Sequence, residues 1–404
     1  MTCEIAVMNK RGLALAADSA VTVGEGEKIY HHAEKLFALP SGAPVGIMIY
    51  GSAEIMAMPW ELVIHAYGRE LGQRRFDRLD QYAEEFFRFV EASAALFPPD
   101  LQRDWFRSLV GQYWRTELAE PLAHRLKAEG KETSRAANAV LAELLERDHA
   151  TWNSCPAIEG LGAAHGDKVI AEYAPALDSL ESDLFGGHSL GAEAKRGLRA
   201  TARFMQTQQW IHPLDRSGIV FAGMGEAEPF PAVLEFAVGS LAAGRLRWFK
   251  ADEARVTRDD SAIVAPFAQG DMVHTFYRGI VPDLDAKLGG IVVRTVAHEL
   301  KMHDAELPPE RMEKLEKAFR KALEEEIDGR YQRPLIAAVD ALPRHDLARI
   351  AEALVSLTAL RRRMSLGEKE TVGGAIDVAI LSKAEGFQWL KRGGCAYGVA
   401  RPAS

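Results

Sequence analysis

Residues 1–20, "MTCEIAVMNKRGLALAADSA", decide the fold. An apolar run starts directly behind the initiator Met, breaks at "NKRG" and resumes as "LALAAD". This pattern predicts a β-hairpin whose turn is centred between Lys10 and Arg11. Residues opposite one another in such a hairpin have numbers summing to about 21, which sets Thr2 beside Ser19 and next to Asp18. A second hairpin follows in "KLFAL", a turn at "PSGA", and "PVGIMIYG". It opens at Lys35 and ends at Gly51 and Ser52. A lysine on an otherwise apolar strand is costly unless it is paired, and Asp18 is a partner for it.

These are the parts of an N-terminal nucleophile. A threonine hydroxyl is a poor nucleophile near neutral pH until a base takes its proton, and a free α-amine on the same residue has suitable strength. Loss of Met1 is therefore required, and the small side chain of Thr2 suits removal by methionine aminopeptidase. Lys35, kept charged by Asp18, would ease formation of the Thr alkoxide and tune proton transfer. Gly51, at a strand end with no side chain in the way, could offer its backbone N–H to the oxyanion of a tetrahedral intermediate. Cys3 follows the nucleophile but, on a strand, faces the opposite way and reads as core. Lys28 in "EKIYHH" is the alternative lysine.

Outward from the hairpins, strands occupy residues 2–52, and long amphipathic and aromatic-rich helical patterns run to about residue 150. A Gly-, Ser- and Asp-rich stretch from "HGDK" to "DLFGGHSLG" reads as a separator before one more helix, "AEAKRGLRATARFMQTQQW". Strands return in "SGIVFAGMG", "FPAVLEFAVG", "GRLRWFKA" and "SAIVAPFA"; three helices are expected between about 282 and 364, then a closing strand pair, "AIDVAILSK" and "FQWLKR". The order strands, helices, strands, helices, strands predicts an α+β protein with two sheets between helical layers. The domain boundaries expected are a core of residues 1–54 and 215–404 and a helical insertion of residues 55–214.

Composition excludes several classes. The chain has 404 residues and a formal net charge of -8, with acidic groups spread along it, so nucleic acid is not an expected partner. Its three cysteines, Cys3, Cys155 and Cys395, lack CxxC spacing and argue against a disulfide framework or structural zinc. No signal pattern and no apolar run of about 18 residues is present, so the expected setting is cytoplasmic and off the membrane. Two local motifs compete with Thr2. "GHSLG" at 187–191 matches a nucleophile elbow at Ser189, a serine esterase reading, but the acidic "DSLESDLFG" before it makes a poor buried strand. "HELKMH" spaces His298 and His303 five apart, which turns them to different sides of a helix and argues against a metal site.

With Thr2, Gly12, "LALAADSAVT", "KLFAL" and "IYGSAE" in view, the sequence resembles the β-type subunits of proteasomes and their bacterial relatives, within the N-terminal nucleophile hydrolases. The likeness continues through "GIVFAGMGEAEPFPAVLEFAVG", "IVAPFAQGDMVHTFYRG" and "TVGGAIDVAILSKAEGFQWLKR", and covers about residues 2–54 and 215–392. It implies a four-layer αββα sandwich and a threonine-type hydrolase of peptides or small amides. In this family Thr2, Asp18, Lys35 and Gly51 would be catalytic, no metal or cofactor would be needed, and copies of the chain would form a homo-oligomer such as a ring. The family's supporting serine and its Asp-x-x-Ser are replaced here by "AQGD" and "EKETVGG", with Val372 where Ser would stand. Ser19, Gln269, Asp271, Glu368, Glu370 and Thr371 are the polar groups available in their place. A catalytically inactive assembly protein is the alternative expectation.

Overall fold

The opening hairpin forms in the register expected of a turn between Lys10 and Arg11: β1 (Cys3–Asn9) pairs antiparallel with β2 (Gly12–Asp18), from Asn9 opposite Gly12 to Glu4 opposite Ala17. The structure is a computed structural model and describes residues 2–23, 28–30, 33–40, 42–365, 372–393 and 395–396. A short pair, β3 (Val21–Val23) and β4 (Lys28–Tyr30), precedes the second hairpin, β5 (Leu36–Ala38) and β6 (Val45–Gly51). After β7 (Glu54–Ile55) and β8 (Met58–Pro59) come α1 (Trp60–Leu71), α2 (Leu79–Ala92), α3 (Pro99–Tyr113), α4 (Glu120–Glu129), α5 (Ser134–Ser154), α6 (Ala163–Glu172), α7 (Ala174–Phe185) and α8 (Ala192–Thr207). Strands β9 (Ser217–Gly223), β10 (Ala232–Ala242), β11 (Arg245–Arg255) and β12 (Ala262–Ala268) lead into α9 (Asp271–Arg278), α10 (Pro282–Met302), α11 (Pro309–Ile327), α12 (Arg333–Ala341) and α13 (Arg344–Met364). The last strands are β13 (Ile376–Ser382), β14 (Gly386–Arg392) and β15 (Cys395–Ala396).

The strands form a six-stranded sheet, ordered β12-β1-β2-β13-β14-β15, and a five-stranded sheet, ordered β11-β10-β9-β6-β5. Every residue of β1 and β2 is buried, so both faces of this hairpin are covered, and the alternation of side chains decides what each residue meets. Cys3, Ile5, Val7, Ala14 and Ala16 pack with Leu347, Ala351, Leu354 and Val355 of α13. Ala6, Met8, Leu13, Leu15 and Ala17 pack with Met48, Val220 and Ala222 of the other sheet. At Gly46 an added Cβ would sit 2.9 Å from the Phe387 ring, so the two sheets approach there only because that position has no side chain. The far face of the five-stranded sheet carries Ile47, Ile49, Ile219 and Phe221 against Trp60, Ile64 and Tyr67 of α1 and Phe86 and Phe87 of α2.

Helices α3 to α8 enclose a separate apolar cluster that includes Phe106, Trp114, Leu141, Leu177 and Leu198. It meets the sheets through Ala242 at the end of β10 and through Trp105, and also through a buried polar knot. Asp215 accepts from Trp105 Nε1 at 2.8 Å and from the Ser240 N–H and hydroxyl at 2.9 Å each, and stands 3.6 Å from the Arg247 guanidinium.

Two expectations are corrected. The stretch from "HGDK" onward is not a separator; it holds α6 and α7, because Leu177, Leu180 and Phe185 recur at helical spacing and are buried while the Asp, Ser and Glu residues face outward. Between residues 282 and 364 there are four α-helices, not three, since a π-helical turn, Asp328–Gln332, separates α11 from α12. Among the described residues no helix is long and apolar enough to cross a membrane.

Candidate active site

Asp18 ends β2 with its carboxylate buried, and four donors satisfy it. Oδ1 accepts from the Cys3 N–H at 3.0 Å and from Lys35 Nζ at 2.8 Å. Oδ2 accepts from the N–H groups of Ala20 at 3.2 Å and Gly373 at 2.9 Å. A buried charge is tolerable when its oxygens are filled this way, and the same bonds join the start of β1, the end of β2, Lys35 and the turn before β13. Lys35 is itself buried, and its carbonyl accepts from the Ile49 N–H at 2.9 Å, which fixes the residue against β6.

Thr2 is buried beside this knot. Its carbonyl accepts from the Gln269 N–H at 3.1 Å, and its Oγ1 donates to Glu4 Oε2 at 3.2 Å. Glu4 is a residue that the sequence reading missed. It lies two positions from Thr2 on β1, on the same face, between Ala17 of β2 and Phe267 of β12. Its side chain is completely buried, and Oε1 has no hydrogen-bond donor among the described residues. Burial pushes the carboxyl up to about 8, opposed by the Lys35 charge and the Thr2 hydroxyl and assisted by the Asp18 charge. The Cys3 thiol points to the α13 side, where burial pushes it up to about 12 and leaves it protonated and unreactive.

Gly51 closes β6 at the end near Lys35, in the left-handed region at φ +78°, and an added Cβ would stand 2.8 Å from the Arg216 carbonyl. The corner is braced: the Ser52 N–H donates to Arg216 O at 3.1 Å, and Trp60 Nε1 donates at 2.8 Å to the Ser217 hydroxyl, which donates in turn to the Ser52 carbonyl at 3.2 Å. One residue earlier Tyr50 lies over Gly218 and its hydroxyl donates to Glu235.

Of the residues singled out from sequence, Thr2, Asp18 and Lys35 thus come together, with Gly51 on the strand bonded to the Lys35 segment. Ser19 is buried next to Asp18, and its carbonyl accepts from the Ala33 N–H at 3.1 Å. Gln269 meets Thr2 through its backbone. Asp271 does not join them: it opens α9 with an exposed carboxylate 3.3 Å from Arg362. Glu368, Glu370 and Thr371 lie outside the described residues; Val372, just beyond them, is buried in the α13 cluster. Lys28 lies in β4, and its side chain is outside the described part.

The competing motifs are resolved by their surroundings. "GHSLG" follows helix α7, where an elbow needs a strand, and Ser189 is exposed, which overturns the Ser189 esterase reading. His298 and His303 are exposed at the end of α10. Among the described residues one trio, Glu34, Glu61 and His65, has side-chain ligand atoms within 4.8 Å of one another, and Glu34 is already paired with Arg392.

Fold and site together define an α+β protein with a threonine at the N-terminal end of a buried, charge-paired hairpin. No protein-family model and no curated protein matches the chain. Among solved structures it is similar to Anbu from Hyphomicrobium sp. strain MC1, at 12% identity and a TM-score of 0.30, covering 96% of this chain and 86% of that one. The Gly-1 mutant of that protein matches at 12% and 0.32, with 96% and 87% covered. Anbu (ancestral beta-subunit) from Yersinia bercovieri matches at 11% and 0.29, with 96% and 86% covered. At that degree of likeness the chemistry rests on the residues themselves.

Proposed function

We propose that the chain is a threonine-type N-terminal nucleophile hydrolase of peptide or small amide bonds, built as a proteasome-subunit-like αββα sandwich from residues 1–54 and 215–404 with residues 55–214 inserted. The observation that carries this reading is the Asp18 carboxylate, which bonds at once to Lys35 Nζ and to the backbone N–H immediately after Thr2. In the reaction, Thr2 Oγ attacks the carbonyl with the Thr2 α-amine as base, and the Lys35 ammonium lowers the cost of the alkoxide. The Gly51 N–H steadies the oxyanion, the amine leaves, and water hydrolyses the Thr2 ester. No metal or organic cofactor takes part, and the working form is a cytoplasmic homo-oligomer.

Intact-mass measurement of the native protein should show loss of Met1, and a β-lactone probe should label Thr2 but not the Thr2→Ala variant. Retention of Met1 would remove the amine base and refute the mechanism. One observation favours a second reading, a non-catalytic assembly protein: Val372 places buried apolar surface where the resemblance calls for a serine supporting the terminal amine. A folded, assembled protein with a free Thr2 that resists the probe would decide for it.

A further inference from the structure

We propose that Glu4 is a proton relay of this site: its carboxylate takes the Thr2 Oγ proton as the Oγ–C bond forms and passes it to the Thr2 α-amine, which delivers it to the leaving nitrogen as the C–N bond breaks. The proposal rests on the Thr2 hydrolase reading and deepens it. In the second half-reaction Glu4 takes a proton from water as the water oxygen adds to the Thr2 ester. That proton returns to Thr2 Oγ when the Oγ–C bond breaks, so acid and threonine are released and Glu4 is again a carboxylate.

The geometry supports a chemical role over a packing one. Oε2 is 3.2 Å from Thr2 Oγ1, at the limit of direct proton transfer in a resting site. Oε1 has no donor among the described residues, so this carboxyl, unlike that of Asp18, gains little from the fold in return for its burial. Its sheet neighbours, Ala17 and Phe267, would suit an apolar side chain equally well. The groups able to influence its charge are Thr2 just before β1, the N-terminal amine, Asp18 at the end of β2, Lys35 before β5, and Tyr50 on β6, whose hydroxyl is engaged by Glu235 of β10. With the carboxyl pushed up to about 8, the carboxylate form that accepts the proton is the minor form near neutral pH and grows as pH rises towards 8.

The test is the rate of β-lactone acylation of Thr2, followed by intact mass from about pH 5 to 10, in the native protein and in Glu4→Gln. Glutamine keeps the shape of the protonated carboxyl. The expected result is acylation at least ~100-fold slower in Glu4→Gln, with the slope of log rate against pH reduced by one. A rate within about threefold of native, or a slower rate with the slope intact, overturns the proposal while Thr2 labelling leaves the hydrolase reading standing. Absence of labelling in the native protein, with Thr2 free, refutes both. Should Glu4→Gln fail to fold, Glu4→Asp draws the carboxylate back by one methylene; a slowing of at least about tenfold with the slope kept is expected, and an unchanged rate overturns the role.

Discussion

A carboxyl enclosed between Ala17 and Phe267 has no water to ionise into, and folding therefore keeps Glu4 protonated up to about pH 8, against an ordinary value of 4.5. The raised value means that the native state holds a proton which the unfolded chain gives up first. Glu4's contribution to stability is therefore fully present below about pH 4.5, falls as pH rises towards 8, and levels off above it. Glu4→Gln should match the native protein in stability near pH 4.5 and exceed it by about 3–5 kcal/mol above pH 8, as measured by urea unfolding across that range. A gap that does not change with pH would contradict this burial. The signal for Glu4 was present in the sequence, since an acid on an apolar strand with the parity of Thr2 poses the same question as Lys35. Only Lys35 was matched with a partner, because Asp18 offered an obvious one and nothing comparable stood near Glu4.

Beside their apolar packing, the two hairpins are tied by one buried ion pair, Asp18 with Lys35. In Asp18→Asn a buried Lys35 ammonium is left facing an amide, so a loss of about 3–5 kcal/mol is expected, together with loss of Thr2 labelling. Combining Asp18→Asn with Lys35→Met should recover most of the stability and none of the labelling; denaturant midpoints of the single and double variants check this. At the same end of β6, Gly51→Ala must place a Cβ 2.8 Å from Arg216 O at φ +78°, at a cost of about 1–3 kcal/mol by the same measurement. The hairpins were legible because alternation and turn chemistry act over a few residues: "NKRG" alone set the register of β1 on β2. The Gly373 N–H on Asp18 was not legible as a contact, since 355 residues separate the partners. Helices α6 and α7 were hidden by local composition, where Gly, Ser and Asp on the outer face masked the spacing of Leu177, Leu180 and Phe185.

Over the whole molecule, apolar packing falls into clusters on and between the sheets and another within α3 to α8, which meets the sheets at Ala242, Trp105 and the buried Asp215 and Arg247. Amides of α3 to α8 should exchange with solvent as a unit, with an opening free energy different from that of β1, β2 and β13; a shared value across both sets would refute this division. Helix order was readable from sequence, but the split was not, because α1 and α2 share the amphipathic character of α3 yet are claimed by the sheet. The position of β2 between β1 and β13 carries a consequence for biosynthesis. Thr2 and the opening hairpin are made long before β13, so β2 keeps a bare edge, and Asp18 lacks its Gly373 bond, until that part of the chain emerges. A nascent chain that still lacks β13 therefore has an Asp18 carboxylate short of one donor, and on the proposed reading Thr2 gains its finished surroundings only once β13 has been made.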